Sequence, residues 1–133
     1  MKKNFERLVK IIAILVLGVF AISCGKGGKG SAEPGSIEAI KKAGKIRIGV
    51  FGDKPPFGFV DENGKNQGYD IYLAKRLAKD LLGDENKIEF ITLEAANRVE
   101  YLLSNKVDII LANFTVTDER KQKVDFAKPY MKV

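Results

Sequence analysis

The feature that most constrains this chain is a change of character inside one stretch, Val107 to Arg120. The stretch opens with an apolar run, Ile109-Ile110-Leu111-Ala112. Its length and β-branched content suit a buried strand covered on both faces. At Asn113 the polarity changes. Thr115 and Thr117 bring hydroxyls, and Asp118-Glu119 put negative charge where a helix would start. Thr117 is a fair N-cap, which places Arg120 in the first helical turn. A buried strand thus delivers hydroxyls, free backbone groups and one guanidinium to its carboxyl end, where ligands of open α/β sheets sit. A guanidinium fork beside a threonine hydroxyl suits a carboxylate, because arginine donates two parallel charge-assisted hydrogen bonds. The residues alone also allow Arg120 to be a solvated charge of the run Arg120-Lys121-Gln122-Lys123, as most arginines are.

Upstream, the patterns alternate between strand and helix. Ser36 can cap a short helix through Ala43, with Gly44 stopping it. Lys45 to Val50 alternates, with Ile46, Ile48 and Val50 on one side, and reads as a strand. The loop Phe51 to Phe59 holds Pro55, Pro56, Gly52 and Gly58, which argue against regular structure. Its rings are either one wall of a pocket or packing for the core. Asp61-Glu62-Asn63-Gly64 is a hairpin-type turn. Asp70 is placed to cap a helix from Ile71 to Leu82. That helix turns Ile71, Ala74, Leu77, Ala78 and Leu81 inward and leaves Lys75, Arg76, Lys79 and Asp80 to solvent. Lys87 to Leu93 is a second strand, and Glu94 to Asn97 the loop at its end. Arg98 to Ser104 is a short helix with Val99, Leu102 and Leu103 inward, closed by a left-handed Asn105. A brief helix at Val124-Asp125-Phe126 follows Arg120. The order strand–helix–strand–helix–strand gives an α/β fold with a parallel sheet and right-handed crossovers. Its strand-end loops at Gly52, Ala95 and Asn113 then converge on one edge.

Composition excludes several functions. There is no histidine, which removes the commonest general base, a serine-type triad and most zinc sites. No dinucleotide fingerprint, phosphate loop or nucleophile elbow is present. Asp53 and Asp70 are not paired with a base. An enzyme is therefore not expected, nor a metal or cofactor. A receiver domain would want an aspartate ending the third strand, where Ala112-Asn113 stand. Half of the formal charge of +6 comes from Lys2, Lys3, Arg7 and Lys10 set against Glu6. The rest is scattered, with no basic stripe interleaved with aromatics, so nucleic acid is not an expected partner.

That basic start belongs to a targeting segment. Met1 to Lys10 is followed by the apolar run Leu8 to Ile22 and then by Ser23-Cys24, the layout of a secretory signal peptide. The run is shorter than the roughly 20 apolar residues of a spanning helix. Cys24 is the only cysteine and has no internal partner for a disulfide. Its place resembles the lipobox of bacterial lipoproteins, with Ala21 where leucine is usual. Residues 1–23 are thus read as a lipoprotein signal peptide, and 24–35, rich in glycine, as a flexible tether.

From Ser36 to Val133 the chain resembles the family-3 extracellular binding proteins, the amino-acid receptors of bacterial ABC importers. The landmarks are Gly49 to Gly58, Gln67 to Ile71, Asn105 to Asp108, Thr115 to Arg120 and Val124 to Tyr130. Glu94 to Glu100 and Leu111 to Thr115 look like the cysteine-binding surface lipoproteins of Campylobacter-type bacteria. The resemblance implies a periplasmic-binding-protein-like fold of type II, a three-layer sandwich around a mostly parallel sheet. Residues 36–133 would form the N-terminal part of its first lobe, with the second lobe and the return strands missing.

Such proteins close two lobes around a free amino acid. The resemblance gives Arg120 the α-carboxylate, helped by the backbone and hydroxyl of Thr115, and gives the carbonyl of Asn113 the α-amino group. Phe51, Lys54, Phe57, Phe114 and Arg98 would shape the side-chain pocket. Two positions depart from the pattern: Ala96, near which many relatives carry an aromatic ring, and Asn113, where many have glycine. The implied ligand is a polar amino acid, cysteine first and aspartate or glutamate next. The implied partners are an ABC permease and ATPase, and a membrane reached through lipid on Cys24, in the periplasm or at the cell surface. The alternative is a ligand-sensing or adhesive surface lipoprotein that uses the fold without transport.

The lipidation reading is directly testable. Metabolic labelling with palmitate should mark the wild-type protein and spare Cys24→Ser; equal labelling of the two contradicts it.

Overall fold

The computed structural model describes residues 32–131. The signal segment, Cys24 and most of the tether lie outside the described residues. The last tether residues, 32–35, run into a turn closed by Ser36 N–H donating to the Glu33 carbonyl at 3.0 Å. Helix α1 (Ile37–Ala43) starts where expected, its Ala39 N–H held by the Ser36 hydroxyl at 3.2 Å. It stops at left-handed Gly44.

Strand β1 (Ile46–Val50) is the centre of the main sheet. It pairs in parallel with β5 (Ile88–Thr92) on one side and β6 (Ile109–Leu111) on the other. All three strands therefore point the same way, and their carboxyl ends share one edge, as the sequence pattern predicts. Side chains alternate across the sheet. Ile46, Ile48 and Val50 face one way, fully buried against Ile40 of α1 and Ile71, Ala74 and Ala78 of α2 (Tyr69–Leu82). On the other face Ile110 packs with Leu93, Ala112 and Tyr101, the last on α3 (Arg98–Leu103). Helices on both faces make three layers. At Gly49 a Cβ would stand 2.5 Å from the Leu93 side chain and 3.1 Å from that of Ile110, so a larger residue there would make those side chains shift. None of the described helices is long and apolar enough to cross a membrane.

The register of β6 is pinned at its start. The Arg47 guanidinium donates to Asp108 and, through Nη1, to the Asn105 carbonyl at 2.6 Å. The Arg47 N–H donates to Asp108 Oδ2 at 2.7 Å, and the Asp108 N–H returns a bond to the Arg47 carbonyl. The bond to Asp108 raises the Arg47 pKa above its ordinary value. Asn105 is left-handed, as its place after α3 suggests.

Five expectations need correction. The run Ile109–Leu111 is half-buried rather than covered on both faces. Among the described residues β6 is an edge strand, so the strand buried on both faces is β1. The loop after β1 does hold regular structure. Strands β2 (Asp53–Lys54), β3 (Gly58–Val60) and β4 (Asn66–Gln67) form a small antiparallel sheet. Pro55 and Pro56 sit in its first turn, where no ladder N–H is required. Asp61 makes the second turn, taking the N–H groups of Asn63 and Lys65, both at 2.9 Å. Leu77 and Leu103, expected inward, are exposed. Val124-Asp125-Phe126 is not helical, because α4 (Asp118–Lys121) ends before it.

The fifth correction concerns Asp70. It does not cap α2 but lies inside it and is fully buried. The free N–H groups of Tyr69 and Asp70 are taken by the Pro56 and Phe57 carbonyls, both at 2.9 Å. Gly68 permits that approach: its φ is 112°, and a Cβ would fall 2.2 Å from the Phe57 oxygen. The Asp70 carboxyl instead accepts the Tyr130 hydroxyl through Oδ1 at 2.8 Å, and its Oδ2 is buried without a partner.

Burial raises the Asp70 pKa, and the Tyr130 bond opposes this only in part. The folded state therefore favours the protonated acid. That contribution is fully present below about pH 4, the unfolded range of Asp, and is lost as pH rises through the raised folded value. Asp70→Asn stays neutral and escapes this loss. Urea melts from about pH 4 to 7 should show the stability difference moving steadily in the variant's favour; a difference independent of pH contradicts the assignment.

Candidate functional site

The three strand ends bring a cluster of cations and rings together. After β1 comes Phe51, 5% exposed and packed with Leu93 and Ala112. After β5, a turn of 3-10 helix (Ala95–Asn97) leads into α3, whose first residue is Arg98. After β6, Asn113 adopts a left-handed conformation, φ 47°. It turns the chain so that Phe114 and Thr115 follow along the same edge. Asparagine tolerates that conformation better than most residues.

Arg98 is 8% exposed. Its Nε donates to the Ala95 carbonyl at 2.9 Å, and its Nη1 to the carbonyls of Ala112 at 3.0 Å and Asn113 at 3.1 Å. Its guanidinium carbon lies 4.7 Å from the Phe114 ring centre and 5.6 Å from that of Phe51. Burial, and then the nearby charge of Arg120, lower its pKa from the ordinary arginine value.

Arg120 comes from the other side of the same turn. Thr117 caps α4 through its hydroxyl, which accepts the Arg120 N–H at 3.3 Å, as the sequence suggests. The Arg120 guanidinium lies 4.7 Å from the same Phe114 ring and donates from Nη1 to the Thr115 carbonyl at 2.7 Å. Among the described residues, no carboxylate is within ion-pair distance of Arg98 or Arg120. Two guanidiniums thus share one ring, with only neutral carbonyls as acceptors. Such a place attracts an anion.

The other expected residues divide. Lys54 stands 5.8 Å from the Phe51 ring, exposed and paired with Asp53. The Asn113 carbonyl already accepts Arg98 and, at 3.2 Å, the Thr115 N–H, so a ligand amino group would compete for it. Ala96 is exposed in the 3-10 turn. Phe57 does not join the cluster through any ring or cation contact among the described residues. Its backbone closes the β2–β3 turn and caps α2. Lys121 and Lys123 are exposed and paired with Asp118 and Glu119. The sequence reading missed Phe126, whose ring centre lies 5.3 Å from that of Phe114. The signal was present, an aromatic residue shortly after Arg120, but a helical reading of that segment gave it no direction.

Comparison with known proteins bears on this arrangement. The family model described as bacterial extracellular solute-binding proteins, family 3, matches residues 46–133. A glutamine-binding protein of Geobacillus stearothermophilus is 45% identical over 75% of this chain and 38% of its own length. A crystal structure of a cysteine-binding protein from Campylobacter jejuni superposes with a TM-score of 0.70 at 69% identity, over 71% of this chain and 38% of the other. A solute receptor for L-cysteine of Neisseria gonorrhoeae gives 0.71 at 69% identity, over 72% and 39%. The chain spans about half or less of the length of the curated relatives it matches first.

The two arginines should separate in a stability experiment. Arg98→Ala leaves the buried Ala112 carbonyl without its donor, which costs about 1–3 kcal/mol. Arg120→Ala removes a half-exposed side chain and should stay within about 0.5 kcal/mol of wild type. Denaturant melts of both variants check this; equal losses would show that Arg120 is also a structural residue.

Proposed function

This chain belongs to the bacterial extracellular solute-binding proteins, family 3, and from that premise we propose that it captures a free polar amino acid for import. One observation carries the reading: Arg98 and Arg120 converge on Phe114 at the carboxyl edge of the sheet without a carboxylate of their own. Arg120 is the better candidate for the ligand's α-carboxylate. It is less enclosed than Arg98, and its one hydrogen bond through the guanidinium among the described residues is from Nη1 to the Thr115 carbonyl. Arg98 spends two nitrogens on three carbonyls. We assign it, with Phe51, Phe114 and Lys54, to the side-chain pocket.

The α-amino group is assigned to the Asn113 carbonyl. The Thr115 N–H now on that oxygen is long, at 3.2 Å. Exchange of that bond for the ligand's ammonium would free the Thr115 N–H to join Arg120 on the carboxylate. Cysteine is favoured as the ligand because two relatives 69% identical over the matched region are described as cysteine receptors. Aspartate or glutamate comes next, since Arg98 or Lys54 offers charge to a second carboxylate. In this reading the protein works with an ABC permease and ATPase, held by lipid on Cys24 in the periplasm or at the cell surface. A second lobe closes the cleft, because one wall does not exclude water from the ligand.

The test is titration of the full-length protein with cysteine, aspartate, glutamate and glutamine. Arg120→Ala should abolish binding to the best of them, and Arg120→Lys should recover little of it. Breaking a buried pair costs roughly 3–5 kcal/mol, or about two to four decades in affinity. Thr115→Val should cost less, near the roughly 1.5–3 kcal/mol of one hydrogen bond to a charged group. Lys121→Ala and Lys123→Ala should change little. Binding by Arg120→Ala within about threefold of wild type, under 1 kcal/mol, overturns the carboxylate assignment.

A further inference from the structure

Residues 125–131 leave α4 without regular structure, and among the described residues they make no backbone–backbone hydrogen bond. Two side chains hold this segment. Tyr130 reaches Asp70 through its hydroxyl, and its ring lies 6.0 Å from that of Tyr69. Phe126 is half-buried between exposed neighbours, tilted 47° against Phe114. Phe114 is itself the ring on which both site guanidiniums lie.

We infer that Phe126 is a positioning residue of the binding site, setting the tilt of Phe114 and through it the place of the Arg120 guanidinium. This rests on the reading of the site given above. A cation is drawn to the face of an aromatic ring and not to its edge. The tilt of Phe114 therefore decides where a guanidinium can lie. Phe114 stands in an irregular turn, between left-handed Asn113 and Thr115, so no strand or helix fixes its direction. The side chains against it must do so, and among the described residues Phe126 is the one aromatic ring that pairs with it.

The two arginines depend on that ring unequally. Arg98 is fixed by three carbonyls whatever Phe114 does. Arg120 has one carbonyl, that of Thr115 in the same turn as Phe114, and the ring. It also meets the repulsion of Arg98, which a displaced ring would no longer offset. Loss of Phe126 should thus move Arg120 and leave Arg98 nearly in place.

Two variants of the full-length protein test this. Phe126→Leu keeps apolar volume and removes the ring; Phe126→Tyr keeps the ring. In ¹⁵N-arginine spectra without ligand, Phe126→Leu should shift the Arg120 Nε–Hε cross-peak away from its ring-shifted position and leave that of Arg98 nearly unchanged. The same variant should weaken binding of cysteine, aspartate, glutamate or glutamine, whichever binds wild type best, by about twofold to tenfold, the range of an aromatic pair. Phe126→Tyr should retain both the cross-peak and the affinity. An unmoved Arg120 cross-peak in Phe126→Leu, or equal losses in the two variants, overturns the inference. If wild type binds none of cysteine, aspartate, glutamate and glutamine, the amino-acid reading fails, and the cross-peaks still decide whether Phe126 positions Arg120.

Discussion

The two-sided pairing of β1 is the constraint from which the site follows. Parallel hydrogen bonds join it to β5 over five residue pairs and to β6 over three. Parallel neighbours must end at the same edge, so Phe51, the 3-10 turn before Arg98, and Asn113 are brought together by the sheet before any of them touches another. The burial of Ile46, Ile48 and Val50 on one face makes a slip of one residue costly, since it would send all three to the other side. The Arg47–Asp108 bonds hold the short β6 in that register from its far end. A site residue at the carboxyl edge therefore owes its position to an ion pair at the amino edge.

The cluster at that edge is unfavourable in isolation. Two guanidiniums on one ring repel, and Arg98 is partly stripped of water as well. Carbonyl dipoles and the ring face offset part of this, but none of them carries a charge. An anion would offset the rest, and a planar one suits the forks best. The same reasoning separates the two arginines. The more enclosed one is tied down by Ala95, Ala112 and Asn113; the more exposed one makes a single guanidinium hydrogen bond among the described residues, to Thr115.

Much of this was legible in the sequence, and for identifiable reasons. Periodicity gives the order of the strands and helices, because burial imposes it. Thr117 and Ser36 announce their helices through local hydrogen bonds that need nothing distant. Arg120 could be singled out because it follows a strand end and a cap. What failed depends on distant partners. Ile109–Leu111 has the apolar content of a covered strand, but coverage is decided by neighbours and not by composition. The small sheet β2–β4 escaped notice because prolines and glycines argue against strands in general, and only the fold places them in its turns. Arg98 looks like any helix-opening arginine until β6 brings the Ala112 carbonyl beside it. The left-handed conformation of Asn113 has only a faint sign in the sequence, an asparagine where many of the resembled proteins have glycine.

Asp70 gives the clearest case of one local solution releasing a residue for another. A carboxylate near the start of a helix ordinarily answers the free N–H groups there. Here Gly68 lets the chain before α2 come so close that the Pro56 and Phe57 carbonyls take the first two. The carboxyl is then free to be buried and to hold Tyr130. Tyr130 fixes one point of a segment that makes no backbone–backbone hydrogen bond among the described residues, and Phe126 fixes another, against Phe114. Gly68 lies outside the arginine cluster, yet a side chain there would push the loop off the helix and leave two N–H groups open. The nearest remedy would be the Asp70 carboxyl itself, which would have to leave Tyr130 to supply it. A substitution at Gly68 is thus expected to act on the site through the segment that carries Phe126, rather than through any contact with Arg98 or Arg120.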